Sequence, residues 1–322
     1  MKKSSVIVVA AGIMCAMLSG CGFIFNFGKG KDGSLSVGTF EYSAGEIDRV
    51  EVDWSSGSVR LVESEGSSLK VQETDGGLSD AQKMRCKIEN RTLKISFCKP
   101  GCIGIFPPGT KLLTVEVPKG TEISVNSSSA DICMEVETPK TAELYSSSGN
   151  IEAGTVYAEK IRINSTSGLI RLEKALSDGD VKISSTSGGI DAEKLYAKGR
   201  LSAESTSGSV CVGEIEALEN ASVKSTSGRV EAKKITAPYF SANTTSGSVF
   251  AGISSCEEAE IESTSGTVRV ELLDDLGATV TYKAGSGHFE HGDCYLYGEK
   301  YIFGNGGCRI RIRTTSGNIK VK

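Results

Sequence analysis

A motif that recurs every 19 or 20 residues constrains the fold of this chain more than any other feature of its sequence. Each copy reads apolar-x-apolar-x-Ser-Thr-Ser-Gly-x-apolar-x-apolar. The glycines that mark the clearest copies are Gly149, Gly168, Gly188, Gly208, Gly228, Gly247 and Gly266. A fixed period of this length indicates an array of stacked structural units. The 38 glycines come with only 6 prolines and no strict three-residue period, which excludes collagen.

Apolar and polar residues alternate on both sides of each glycine. Before Gly168, for example, Ile161 and Ile163 flank Arg162. This alternation is the period of a strand with one buried face, and two short strands with two turns describe one coil of a solenoid. The sequence therefore predicts an all-β fold, a single-stranded parallel β-solenoid (β-helix) with roughly 19–20 residues per coil and about fourteen coils. No segment of helical period recurs in the unit.

The Ser-Thr-Ser-Gly tetrapeptide is expected to form a corner between the two strands of a coil. Glycine is predicted there because it adopts a positive φ without steric cost, and hydroxyl groups bond the backbone groups that a corner leaves unpaired. Stacking would align the hydroxyls into two columns, Ser165, Ser185, Ser205 and Ser225 in one and Thr166, Thr186, Thr206 and Thr226 in the other. Turn chemistry accounts for these residue types, and the alternative is a polar strip that recognises sugars or ice.

The first residues have the organisation of an export signal. A basic start and an apolar run over 6–18 lead to Leu-Ser-Gly and then Cys21. The run is too short to span a bilayer, and its end resembles the bacterial lipobox, whose cysteine thiol is diacylated. We predict a signal peptide at 1–20, lipidation of Cys21 and a lipidated tether at 21–45, which would place the protein outside the cytoplasm and anchor it to the membrane through its N-terminal lipid. The alternative is an ordinary secretory peptide with an incidental cysteine.

The strength of the repeat divides the rest of the chain. From Leu69 to Gly120 the motif fades, and we assign 46–122 to an N-terminal cap with irregular coils, which shields the open end of a solenoid. The regular solenoid is predicted over 123–322, with an irregular insertion near the C-terminus. In the cap, a loop carries the apolar segment Ile103–Phe106, which is expected to fold over the end of the core. A contact site is the alternative interpretation of this segment.

Two pairs of cysteines lie close together in the chain. Cys98 and Cys102 flank a Lys-Pro-Gly turn and are the candidate disulfide, whereas Cys294 and Cys308 flank a second irregular stretch. Export permits disulfides, but parity proves none. The alternative is free thiols that pack as small apolar side chains.

The C-terminal insertion holds both histidines of the chain, His288 and His291, and an aromatic cluster over 295–303. Residues three apart on a strand point to opposite faces, so the imidazoles are not expected to share an ion, and no metal or cofactor is predicted. His291 is expected to be partly buried, and the aromatic residues to form a cap or a sugar platform. A net charge of −4 without basic runs argues against nucleic-acid binding.

The whole pattern resembles a known bacterial family. A lipobox leader, a Leu-Thr-Val-Glu-Val-Pro strand ending at Pro118 and reiterated Ser-x-Ser-Gly-x-Ile/Val units occur together over about residues 46–322. They resemble a domain family of unknown function that is catalogued as putative adhesins. The resemblance implies a β-solenoid in a cell-envelope setting, with some members connected to envelope-stress responses, and it supplies no catalytic residues.

The sequence predicts a binding protein and no enzyme. It shows no nucleophile–base pair, phosphate-binding loop or metal-ligand spacing, so no catalytic or cofactor-binding residue is assigned. We expect a membrane-anchored, adhesin-like surface module of the cell envelope whose partner is an unknown glycan, envelope component or protein. The alternatives are an envelope-stress regulatory partner of a membrane sensor and, less favoured, a carbohydrate-active β-helix enzyme.

Overall fold

A computed structural model describes residues 39–43, 45–74, 78–102 and 111–322 of the chain. Cys21, the predicted tether up to residue 38 and the segment Ile103–Phe106 lie outside these residues. Within them the only helix is a short 3-10 helix, Asp80–Gln82. The strands are β1 (Phe40–Tyr42), β2 (Arg49–Trp54), β3 (Ser58–Glu63), β4 (Leu69–Glu73), β5 (Arg85–Glu89), β6 (Thr92–Ser96), β7 (Leu112–Val117), β8 (Glu122–Ser127), β9 (Asp131–Glu135), β10 (Thr141–Ser146), β11 (Ile151–Ala158), β12 (Lys160–Ser165), β13 (Ile170–Ser177), β14 (Val181–Ser185), β15 (Ile190–Ala197), β16 (Leu201–Ser205), β17 (Val210–Ala217), β18 (Asn220–Ser225), β19 (Val230–Thr236), β20 (Tyr239–Thr244), β21 (Val249–Ser255), β22 (Glu258–Ser263), β23 (Val268–Leu272), β24 (Ala278–Ser286), β25 (Phe289–His291), β26 (Tyr295–Tyr297), β27 (Lys300–Phe303), β28 (Cys308–Ser316) and β29 (Ile319–Val321).

Successive strands alternate between two sheets. Sheet A has fifteen strands in the order β26-β27-β24-β28-β22-β20-β18-β16-β14-β12-β10-β8-β2-β6-β5. Sheet B has fourteen, in the order β1-β4-β7-β3-β9-β11-β13-β15-β17-β19-β21-β23-β29-β25. From β8 to β23 each coil adds one strand to sheet A and the next to sheet B, and neighbouring coils pair in parallel, for example β12 with β14 and β13 with β15. The predicted parallel β-solenoid is confirmed.

The described residues form twelve parallel coils, fewer than the predicted fourteen. In sheet B the strands β1 and β4 are antiparallel additions at one end. In sheet A the additions are β5 at one end and β26 and β27 at the other. The number is lower than predicted because these cap segments take up chain length without adding parallel coils. Twelve coils at a spacing of about 4.8 Å give a parallel stack about 50 Å long.

At both ends, the order of coils in space departs from their order in the chain. The last coil of the chain, β28 and β29, lies between the coil β22–β23 and the coil β24–β25. At the other end, β2 and β3 lie between β8–β9 and β6–β7. The terminal coils are therefore paired on both sides, and internal segments of the chain cover the ends of the rod. The outer edges of the two sheets are therefore formed by β5 and β26 in sheet A and by β1 and β25 in sheet B.

Inward side chains continue from coil to coil as apolar columns. One column of sheet B consists of Val59, Ile132, Ile151, Ile170, Ile190, Val210, Val230, Val249, Val268 and Ile319, all at most 1% exposed. A single coil has too few inward residues to bury them by itself, so the stability of each coil depends on its neighbours.

Among the described residues there is one disulfide bond, between Cys256 and Cys308, and it fixes the inserted C-terminal coil to its neighbour. Cys308 opens β28, and Cys256 precedes β22, the strand with which β28 pairs. Proximity in the chain pointed to Cys294 as the neighbour of Cys308, but Cys294 is a free thiol. The sequence could not place β28 beside β22, since 52 residues separate the bonded cysteines.

Candidate functional site

The corner glycines lie directly against the backbone of the preceding coil. A Cβ atom added to Gly208 would lie 2.1 Å from the carbonyl oxygen of Gly188, and the seven marker glycines all show such contacts at 1.8–2.2 Å. None of the seven has a positive φ. The predicted reason for glycine at these positions was therefore wrong. Glycine is required because two backbones approach too closely for any side chain.

The serine column of the corner faces the interior, and two of its members, Ser205 and Ser225, bond successive coils together, whereas the hydroxyls of Ser165 and Ser185 are buried without a hydrogen-bond partner among the described residues. The hydroxyl of Ser205 donates to the Gly188 carbonyl at 2.9 Å and accepts from the Gly208 amide at 3.0 Å. Ser225 repeats both bonds one coil further along. These hydroxyls satisfy the backbone groups of a buried corner, which supports the structural interpretation of the serines.

The threonine column, by contrast, is exposed along the rod. It borders shallow grooves where the strands of sheet A end. The larger groove measures about 420 Å³ and lies toward the C-terminal end of the rod. Its lining includes Asn243, Glu262, Thr264, Lys283, Arg313 and Thr315.

Aromatic residues close the C-terminal end of the core. The rings of Tyr282 and Phe289 stack with centroids 4.1 Å apart, and Tyr301 lies edge-on to Phe289 at 4.7 Å. Tyr282 is registered against Ile312 and Phe289 against Ile319, so the rings occupy inward positions that are aliphatic in the coil beneath. An aromatic cap is present, but of the predicted cluster it includes Tyr301, which packs with Tyr282 and Phe289, and not the exposed Tyr295 and Tyr297.

His291 also occupies an inward position, opposite Val321, but it is exposed. The prediction of a partly buried histidine was wrong because no further coil covers this position. Its Nδ1 atom lies 3.3 Å from Sγ of Cys294. Within the described ranges, no group of three or more His, Cys, Asp or Glu side chains could hold a metal ion.

A hairpin beyond the cap presents the most exposed large apolar side chains of the described residues. Tyr295 is 60% exposed, Leu296 61% and Tyr297 74%. Tyr295 is opposite Ile302, which in turn pairs with the outward-facing Thr279. Since side chains alternate along a strand, Tyr295 and Tyr297 share the outer face of sheet A, and Leu296 lies on the face of the aromatic cap.

The same outer face is cationic. Five basic residues occupy outward positions of β24, β27 and β28: Lys283, Lys300, Arg309, Arg311 and Arg313. No carboxylate occupies an outward position of β24, β26, β27 or β28. We call the outward residues of these four strands the terminal face.

Acidic residues of the neighbouring strand β22 balance only part of this charge. Arg309 pairs with Glu258 at 3.3 Å, and Arg313 with Glu262 at 2.8 Å. The hydrogen bond to Glu262 raises the pKa of the Arg313 guanidinium, so it stays charged. Lys283 and Lys300 have no ion-pair partner among the described residues.

The middle of the rod differs from the terminal face. There, outward charges of opposite sign are paired across coils, as between Arg171 and Glu152 at 3.2 Å and between Lys194 and Glu214 at 3.2 Å. Exposed pairs of this kind contribute little to stability and leave a nearly neutral, solvated surface.

The N-terminal end contains a buried ion pair that the sequence pattern did not indicate. Nζ of Lys111 lies 2.7 Å from Oε1 of Glu73, with side chains only 1% and 6% exposed. The ammonium group also lies 4.0 Å from the ring centroid of Phe97 and 4.9 Å from that of Trp54. Burial lowers the pKa of Lys111. Neither residue stands out from its neighbours in the sequence, since their meeting depends on the antiparallel pairing of β4 and β7.

Cys98 and Cys102 lie beside each other near this ion pair as thiols. Burial raises the pKa of Cys98, and the neighbouring Cys102 raises it further. The disulfide between them stays a prediction. Among the residues that the structure covers, no helix is long and apolar enough to cross a bilayer.

Comparisons with known proteins agree with this architecture. The family model for Toastrack DUF4097 matches residues 47–216 and 194–322. No curated protein matches the chain. Among solved structures, a putative adhesin from Parabacteroides distasonis is 16% identical, with 90% of this chain and 98% of that chain covered and a TM-score of 0.45.

Two further solved structures have comparable similarity. A putative adhesin from Parabacteroides merdae is 14% identical, with 90% and 97% of the two chains covered and a TM-score of 0.43. A putative lipid binding protein from Parabacteroides distasonis is 17% identical, with 90% and 98% covered and a TM-score of 0.43. Because the family model spans nearly all of the described residues, the chain belongs to the Toastrack DUF4097 family.

Proposed function

We propose that this chain is a lipid-anchored, non-enzymatic binding module of the cell envelope that engages its partner through the C-terminal end of the solenoid. The terminal face carries the proposal, because exposed aromatic rings lie there beside lysines without ion pairs among the described residues, on strands that have no outward carboxylate. Tyrosine and arginine are among the side chains that contribute most to the energetics of binding surfaces. In the middle of the rod, basic and acidic side chains share the outward positions, and many of them pair across coils.

The direction of the rod supports the proposal. The strand β1, with which the described chain begins, lies at one end of sheet B, and β25 lies at the other. A tether that runs from a lipid on Cys21 would join the N-terminal end. The terminal face would then project about 50 Å further from the bilayer, the length of the parallel stack.

Anchoring can be tested by the substitution Cys21→Ala. The variant is expected to lose acylation and to leave the membrane fraction, since the thioether to diacylglycerol requires the thiol at this position. Metabolic labelling with a clickable palmitate and fractionation of cells measure both effects. Cys15→Ala is the matched control, because it removes a leader cysteine outside the lipobox and should keep the label. Equal labelling of the Cys21→Ala variant would contradict lipidation.

Binding through the C-terminal end can be tested with two matched triple variants. The end variant replaces Tyr295, Leu296 and Tyr297 with serine. The rod variant replaces three similarly exposed side chains of the regular coils, Tyr157, Leu218 and Tyr239, which are 45%, 57% and 50% exposed. In a screen of the full chain against envelope glycans and envelope fragments, the end variant is expected to lose at least about tenfold in affinity and the rod variant to bind normally.

Circular dichroism of both variants should match the unmodified protein, because all six positions are exposed. Loss of binding in the rod variant alone would move the site to the regular coils. Turnover of any glycan in the screen would contradict the non-enzymatic part of the proposal.

A further inference from the structure

We propose that the terminal face binds an acidic polysaccharide, a chain of sugars that bear carboxylate groups. The inference rests on the proposed function, because it names the ligand class for the C-terminal end. Three properties of the terminal face lead to it: a pair of aromatic rings on one strand, cations that the acids of the neighbouring strand balance only in part, and an open groove lined mainly by hydroxyl, amide and basic groups.

The aromatic pair provides a surface for stacking. Tyr295 and Tyr297 are two residues apart on β26, so their Cα atoms are about 7 Å apart on the same face. Both rings are largely exposed and have no neighbouring coil beyond them, since β26 is the outermost strand of sheet A. Flat aromatic rings pack well against the apolar faces of sugar rings and keep a polar hydroxyl at the rim.

The cations select a ligand with negative charge. Lys300 is the cross-strand partner of Tyr297, and Lys283 is the partner of Arg313 in the neighbouring strand β28. Both lysines lack an ion-pair partner in the part of the chain that the structure describes, and a ligand carboxylate meets no competing carboxylate at the outward positions of these four strands. Two lysines and three arginines oppose the three glutamates of β22, which leaves the outward strand positions with excess positive charge on a chain of net charge −4, and Glu299 in the turn before Lys300 offsets one of these charges.

The groove extends this surface along the edge of sheet A. Lys283 lines it together with Asn243, Thr264, Thr315 and the ion pair of Arg313 with Glu262. Hydroxyl and amide groups can both donate and accept hydrogen bonds, as sugar hydroxyls require. Outward threonines of β24, Thr279 and Thr281, connect the groove to the hairpin on one face of one strand. A shallow, open and extended polar surface accommodates a polymer rather than an enclosed small molecule.

The experiment measures binding of the full chain to a galacturonate oligosaccharide and to its methyl ester, which keeps the sugar ring and removes the charge. One variant combines Lys283→Gln with Lys300→Gln, and a second combines Tyr295→Ser with Tyr297→Ser. The matched lysine control combines Lys182→Gln with Lys233→Gln, two exposed lysines of the regular coils that also lack ion pairs among the described residues. Anionic lipid vesicles serve as a further probe.

The galacturonate oligosaccharide is expected to bind about tenfold more tightly than its ester, and added salt should reduce only this difference. The lysine variant should lose this preference, the tyrosine variant should weaken binding of both probes, and the control should change neither. Three outcomes would overturn the inference: equal binding of the acid and the ester, no binding of either, or binding to vesicles alone that depends on the residues of the terminal face. If the end variant still abolishes binding of a neutral envelope ligand, the proposed function stands and only the acidic polysaccharide is excluded. If binding of no ligand depends on the C-terminal end, the proposed function and the polysaccharide inference both fail.

Discussion

Ile183→Asp is expected to destabilise the solenoid by about 5 kcal/mol or more, since the change removes a buried aliphatic side chain and buries an unpaired charge. Ile183 lies in the middle of β14, is 0% exposed and is registered between Ile163 and Ala203 of the adjacent coils. Because each coil depends on its neighbours, the defect should spread beyond a single coil.

The matched control is Lys182→Asp, which places the same carboxylate one residue earlier on the outward face. Urea denaturation followed by far-ultraviolet circular dichroism reports the whole solenoid. Fluorescence of Trp54, the single tryptophan, reports the N-terminal end, where it is 2% exposed. The Ile183→Asp variant should show a lower circular dichroism midpoint than the control, and the two probes should separate. A variant as stable as Lys182→Asp would contradict the inward assignment of this column.

The defect should also depend on pH. Burial would raise the pKa of the new carboxyl above its unfolded value of about 3.9. Between the two pKa values the folded state binds more protons than the unfolded state, so stability falls as pH rises through that window. The difference in midpoint between Ile183→Asp and its control should therefore be smaller near pH 4 than near pH 7.

The sequence was sufficient to predict the fold of the middle of the rod. Alternation around Gly188, for example, assigns Ile183 to the core and Lys182 to the surface, and the 20-residue spacing sets which residues are registered between coils. These features are local and repeat along the chain, so a single unit is enough to assign which side chains face the core and how neighbouring coils are registered. The same reasoning fails at the ends, because β28 alternates like any other strand and nothing in its sequence says that it pairs with β22.

The candidate site was predicted only in part for the same reason. Tyr295 and Tyr297 stand out in the sequence because aromatic residues are few. Their combination with Lys283 and Arg313 depends on the order β26-β27-β24-β28, which the sequence does not encode locally. The buried pair of Lys111 and Glu73 likewise depends on cap pairing rather than on any period.

Gly208→Ala is expected to destabilise the protein by about 3–5 kcal/mol, much more than a single methyl group usually does on a surface. The new Cβ would lie 2.1 Å from the Gly188 carbonyl oxygen and 2.7 Å from the Gly189 amide nitrogen. These are backbone atoms, so no rotamer change relieves the overlap and the two coils must separate. Separation would break the bonds of Ser205 to both corner glycines. Urea denaturation measures the loss.

Two further variants separate crowding from conformational preference as the reason for glycine. Gly154→Ala is the matched control, because its Cβ would meet only a Glu173 side-chain oxygen at 3.8 Å, and its stability should change by less than about 1 kcal/mol. Gly208→Asn tests the other explanation. If the corner required a positive φ, asparagine would substitute well, as it does at Asn90, where φ is 49°. Since the limit is the distance to the adjacent backbone, Gly208→Asn should be at least as unstable as Gly208→Ala, and a stable asparagine variant would restore the conformational explanation.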